Sequence, residues 1–200
     1  MTGLVRKALI FAAGLAVVAS VASAGVPDPL SSSVESAIVG NATGNAIGLG
    51  GNGFDVVVKD INGVALVGVN VVIDFSATVC KLQSVQNGLT TVNCTNKTLA
   101  KASVAGGIAN FAGRFGNFSN SNNVAVSGDG VALANVKARS TDFDNAGGTA
   151  LADLSAFRVR FFDPAYNPEA DYNVDGADGL SDLSIFRVEF FSGVIGSYCL

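Results

Sequence analysis

The 200-residue sequence predicts a mostly β protein that ends in a small α domain. Three observations carry this. Apolar residues alternate with polar ones in short runs before residue 140, and the runs are separated by Gly, Asn and Ser. After residue 140 the chain repeats itself with a period of 29, and each copy ends in apolar residues at helical spacing. Charge divides at the same place: residues 25–140 hold seven Lys/Arg and six Asp/Glu, whereas 141–200 hold three and ten, a net of −7. Such asymmetry points to two units with different work.

Taken in order, the N-terminus comes first. Arg6 and Lys7 precede the apolar run Ala8–Ala22, and Ala22-Ser23-Ala24 supplies small residues for cleavage, the layout of a secretory signal peptide over 1–24. The run is shorter than the ~20 residues that span a bilayer. A secreted or cell-surface chain starting near Gly25 is expected.

Residues 25–138 read as a β-sandwich of about seven short strands. FDVVVK places Phe54, Val56 and Val58 on one face, and VNVVIDFS does the same with Val69, Val71, Ile73 and Phe75. Asn62-Gly63 marks a turn between them, because both residues tolerate positive φ. TTVNC, KTLAKAS, GIANFAG, NVAVSG and VALANVKA supply the remaining candidates. Val58, Asp60, Gly63, Val67, Gly68 and Val71 lie close to the hairpin pattern V-x-D-x-x-G-x-x-V-x-G-x-x-V, shifted by a residue in places. The stretch thereby resembles bacterial immunoglobulin-like modules of the invasin and adhesin kind, which implies an Ig-like sandwich.

Three cysteines are present. Cys80 and Cys94 are close in sequence, and a disulfide between them would contribute roughly 3 kcal/mol by constraining the unfolded chain. Cys199 is then left over, either free or paired between molecules.

The repeat sets DFDNAGGTALADLSAFRVRFF (142–162) over DYNVDGADGLSDLSIFRVEFF (171–191), with eleven of 21 positions identical. In the second copy Asp171, Asn173 and Asp175 fall at positions 1, 3 and 5, Gly176 at 6 and Asp182 at 12. A calcium loop of the EF-hand type needs that spacing: alternate oxygens turn inward, Gly permits the bend, and the acid at 12 reaches back from the first helical turn. The backbone carbonyl of Ala177 serves from position 7, and water fills the direction of Gly179. The first copy offers Asp142, Asp144 and Asp153 at 1, 3 and 12 and the carbonyl of Gly148 at 7, but Ala146 at 5 has no side-chain oxygen. Two calcium ions are expected, the second loop binding more strongly.

Leu154, Phe157 and Phe161 follow a helical stripe, as do Leu183, Phe186 and Phe190, with Phe162 and Phe191 widening it. The two stripes are expected to pack on each other, all of these Phe residues serving as core. Pro164 and Pro168 exclude a helix entering the second loop. Each copy is therefore loop–helix. That arrangement, duplicated, with Asp at position 12 followed by Leu-Ser-x-Phe-Arg, resembles the dockerin module over about 142–192, and a dockerin-like domain is expected over 139–200. The resemblance implies a pseudo-twofold pair of helices and docking to a cohesin-type partner, commonly in secreted polysaccharide-degrading or cell-surface assemblies. Carried over by position, the partner-binding residues would be Leu151, Ala152, Arg158, Val159 and Asp163 in the first copy. In the second they would be Leu180, Ser181, Arg187, Val188 and Ser192. Leu151 and Leu180 depart from the hydroxyl residues often found there.

Exclusions complete the picture. The absence of His removes Ser-His-Asp and Cys-His nucleophiles and imidazole zinc sites. An acidic balance argues against nucleic acid as a partner. The six acids of 25–140 show no pattern that pairs them in a cleft, so a non-catalytic interaction protein is expected. The alternative is a calcium-stabilised structural domain of a cell-surface or matrix protein with no cohesin partner.

Overall fold

The computed structural model describes residues 25–40, 53–86, 88–193 and 196–199. The expected signal peptide lies outside the described residues. Among these residues eleven strands and two α-helices follow in chain order: β1 Ser33–Val34, β2 Ala37–Gly40, β3 Phe54–Val57, β4 Asn70–Asp74, β5 Lys81–Leu82, β6 Thr91–Asn93, β7 Thr98–Ala102, β8 Ile108–Phe111, β9 Phe115–Gly116, β10 Ser119–Gly128, β11 Val131–Ser140, α1 Leu151–Phe161 and α2 Leu180–Ser192.

The Ig-like β-sandwich is not what the chain forms. Six strands in the order β2-β11-β10-β4-β7-β6 make one curled sheet, a half-barrel, with a three-stranded sheet β1-β3-β8 and a two-stranded pair β5-β9. The curl has a visible cause. β10 and β11 run ten residues each, and their register shifts between Ser119 and Val124 and again between Val126 and Ser127. Bulges of this kind bend a strand and increase its twist. β2 adds to β11 in parallel, Ala37 against Lys137.

The alternation holds residue by residue even though the architecture differs. Phe54, Val56 and Val58 are buried, and so are Val69, Val71, Ile73 and Phe75. The Asn62-Gly63 turn also forms: Gly63 has φ 76, and the Asp60 carboxylate accepts the Asn62 and Val64 N–H groups at 2.9 Å. The two runs it separates nevertheless enter different sheets. β3 pairs with β1 and β8, whereas β4 pairs with β7 and β10. Their apolar faces meet in one core, where Phe75 and Phe115 pack at 5.0 Å.

The cysteine pairing is also corrected. Cys94 joins Cys199 across 105 positions of sequence, and Cys80 is a free thiol. Cys80 is completely buried in the core, and that burial pushes its thiol up to about 11. The chain end reaches Cys94 by pairing with β5: the Cys199 N–H donates to the Leu82 carbonyl at 2.8 Å. A bridge closing about 100 residues is worth roughly 5 kcal/mol in the chain-entropy model.

A second core holds the C-terminal repeat. Phe157 and Phe186 stack at 4.4 Å with planes 10° apart, and Tyr172 stacks on Phe157 at 6.0 Å. Leu154, Phe161, Leu183 and Phe190 pack around them, and Val39 of β2 joins from the sheet. Phe162 and Phe191 do not belong to this core; they are 72% and 73% exposed. Each follows directly on a stripe residue and so turns about 100° away from the stripe. The fold alone does not identify the helices as those of a dockerin.

Candidate metal centres

Both loops bring their acids together. Asp142, Asp144 and Asp153 each offer an oxygen within 4.8 Å of the others, and Asp171, Asp175 and Asp182 do the same. Two triads, each with two buried acids and one exposed, can hold a metal ion. The local construction repeats with the sequence. Gly147 N–H donates to Asp142 Oδ2 at 3.1 Å, and Gly176 N–H donates to Asp171 Oδ2 at 3.1 Å. Asp153 accepts from Phe143 (2.6 Å) and Ala150 (2.8 Å), as Asp182 accepts from Tyr172 (2.6 Å) and Gly179 (2.8 Å). The position-12 acid thus sits in the first turn of its helix, satisfies N–H groups there, and reaches back across the loop.

Position 6 explains its glycine: Gly147 has φ 110 and Gly176 has φ 91. Position 4 is left-handed in both copies, Asn145 and Val174 each at φ 60. Asn tolerates that region, but a β-branched residue there is strained. Asn173 turns its amide nitrogen to Asp175 Oδ2 at 2.7 Å and Ser181 Oγ at 2.9 Å, and its oxygen accepts the Asp175 N–H at 3.1 Å. Ala177 donates its N–H to Asp175 Oδ1 at 2.9 Å, while Gly148 is buried behind Gly147.

Electrostatics separates the two loops. Burial raises the carboxyls of Asp142, Asp153 and Asp182 above the ordinary range, and the Asp153 charge adds to the rise at Asp142. Among the described residues no Lys or Arg forms an ion pair with the first triad. In the second loop Arg139, at the end of β11, pairs with Asp171 Oδ2 at 3.1 Å and also donates to the Asp171 carbonyl. Both side chains are buried, 3% and 1% exposed. Each position-1 acid also receives a tyrosine hydroxyl: Tyr166 donates to Asp171 Oδ2 at 2.6 Å, and Tyr198 donates to Asp142 Oδ2. Arg139, Tyr166 and Tyr198 were not among the residues predicted for the site. That all three tyrosines lie after residue 140 is the one trace of Tyr166 and Tyr198 in the sequence, and nothing there marks Arg139.

The donor set is three carboxylates in each loop, without sulfur or imidazole, the chemistry of hard cations. A cation would offset the repulsion between the buried acids and favour their ionised forms. The residues therefore fit a metal of that class.

The positions carried over as partner-binding all lie on the surface. Leu151, Ala152, Arg158 and Val159 are exposed, as are Leu180, Ser181, Arg187 and Val188. Of these, Arg158, Val159, Arg187 and Val188 line two shallow depressions related by the 29-residue shift. One of about 390 Å³ is lined by Ser184, Arg187, Val188 and Phe191; one of about 340 Å³ is lined by Ser155, Arg158, Val159 and Phe162. No family model, curated protein or solved structure matches the chain.

Proposed function

We propose that this chain is an exported, non-catalytic interaction protein whose C-terminal repeat binds two calcium ions and docks to a cohesin-type protein domain. The observation that carries this reading is the pair of triads: three carboxylates converge in each copy at EF-hand spacing. Positions 1 and 12 recur 29 residues apart on matching backbone hydrogen bonds, and the third acid comes from position 3 (Asp144) in the first copy and position 5 (Asp175) in the second. The second loop is the tighter of the two, because Asp175 provides an oxygen where Ala146 has none. The matched surface of Arg158, Val159 and Phe162 with Arg187, Val188 and Phe191 supports docking. It sets large apolar side chains in solvent on the outer side of both helices, each beside a guanidinium. Polysaccharide degradation or cell-surface assembly is the setting the dockerin resemblance suggests.

One observation favours a second reading, a calcium staple without a docking partner. The repeat is tied to the half-barrel by the buried Arg139–Asp171 pair and by Arg160, which bonds Glu169 and lies 4.7 Å over the Phe143 ring and 5.5 Å over Phe118. A pull-down of cohesin-bearing proteins with and without chelator separates the readings. Retention only with calcium supports docking. Calcium-dependent melting with no cohesin retained supports the staple, and no response to calcium in either assay overturns both.

A further inference from the structure

The two position-1 acids are held by tyrosines that come from unrelated places. Tyr166 lies five residues before Asp171, in the segment between the copies, and its bond depends on local chain alone. Tyr198 lies 56 residues after Asp142 and is brought there by the C-terminal tail. That tail is laid along β5: Ser84 N–H donates to the Ser197 carbonyl at 2.9 Å, Gln83 bridges Tyr198, and the Cys199 N–H donates to Leu82. Gly196 donates its N–H to the carbonyl of Gly147, the hinge glycine of the first loop. The only covalent anchor of the tail among the described residues is the Cys94–Cys199 bridge.

We propose that Tyr166 and Tyr198 are positioning residues for the two metal loops, and that the Cys94–Cys199 disulfide makes the first loop's metal affinity, but not the second's, depend on thiol redox state. The inference rests on the metal-binding reading above. Outer-sphere groups that orient a ligating carboxylate commonly govern affinity by 10- to 100-fold. Opening the bridge leaves only hydrogen bonds, to Leu82, Ser84 and Gly147, to hold residues 196–199, and so loosens Tyr198 and with it the orientation of Asp142. Reduction leaves two free thiols in place of the S–S bond: an added thiol supplies the two electrons and two protons and becomes its disulfide, whereas a phosphine supplies the two electrons and becomes its oxide, water giving the oxygen and the two protons. Among the described residues no hydrogen bond or ion pair joins the second triad to the tail: Asp171 is held by Tyr166 and Arg139.

The test isolates each loop through its exposed acid, which disturbs packing least. Asp175→Ala leaves the first loop, and Asp144→Ala leaves the second. Calcium is titrated calorimetrically into the full chain, oxidised and after phosphine reduction. In the Asp175→Ala background, Tyr198→Phe and reduction should each weaken binding about ten-fold, and reduction should add nothing once Tyr198 is Phe. In the Asp144→Ala background reduction should have no effect, while Tyr166→Phe should weaken binding by a similar factor. Cys199→Ser in oxidised protein should reproduce reduction. Circular dichroism in chelator checks that each variant is folded. A first loop that binds calcium equally well with Phe at 198 or with open thiols overturns the proposal and spares the metal reading. Equal weakening of both loops on reduction overturns it as well, since that is general loosening. Absence of binding in the parent chain overturns both.

Discussion

The two loops share a backbone and differ in how they are neutralised. Gly147 and Gly176, Asp153 and Asp182, and the N–H groups each acid accepts occupy matching places. Both position-1 acids accept a tyrosine hydroxyl, but the second loop alone also carries a cation, Arg139, buried against Asp171; among the described residues no Lys or Arg forms an ion pair with the first triad. The repeat therefore keeps the frame that aims oxygens inward, while the sheet adds a charge of opposite sign to the second loop alone and the tail gives the first only a hydroxyl. The first loop is expected to depend more on a bound cation, and the second to stay ordered without one.

The largest break in this comparison comes at Arg139. Replacing it by Met leaves Asp171 buried and unpaired, at a cost of about 3–5 kcal/mol in chelator. Calcium on Asp171 should recover much of that loss. Urea unfolding with and without calcium measures it, and an identical loss in both conditions would refute the role given to the pair. A smaller effect comes from pH. The carboxyls of Asp142, Asp153 and Asp182 are raised by burial, so the folded chain takes up protons at higher pH than the unfolded chain does. Metal-free stability should then rise as pH falls from neutral toward the ordinary Asp value of about 3.9, while calcium affinity falls over the same interval. Melting curves in chelator that decline on acidification through that window would contradict the sign. The smallest change is at position 4: Val174→Asn should relieve left-handed strain and stabilise the second loop by about 1 kcal/mol, whereas Asn145→Val should destabilise the first. Thermal denaturation of the pair checks whether the two shifts are opposite.

What could be read without coordinates was whatever short-range chemistry dictates. A metal loop needs oxygens at set offsets and a glycine at the bend, so Asp142 to Asp153 and Asp171 to Asp182 were legible from spacing. Strand faces such as Val71, Ile73 and Phe75 followed from alternation. Sheet membership did not, because nothing in FDVVVK states which distant strand it will pair with, and β3 and β4 parted company. The cysteines failed for the same reason: closeness in sequence favoured Cys80, but its side chain faces the core and Cys94 meets the chain end instead. Nothing in the sequence ties Arg139 to the second loop, and only the return of the chain places Asp171 on it.

The bridge between Cys94 and Cys199 also makes most of the second half of the chain a closed covalent ring. A protease that cuts a single peptide bond inside it, even in the segment between the helices, releases no fragment. The nicked molecule would keep its full mass on a non-reducing gel and separate into pieces only when thiol is added.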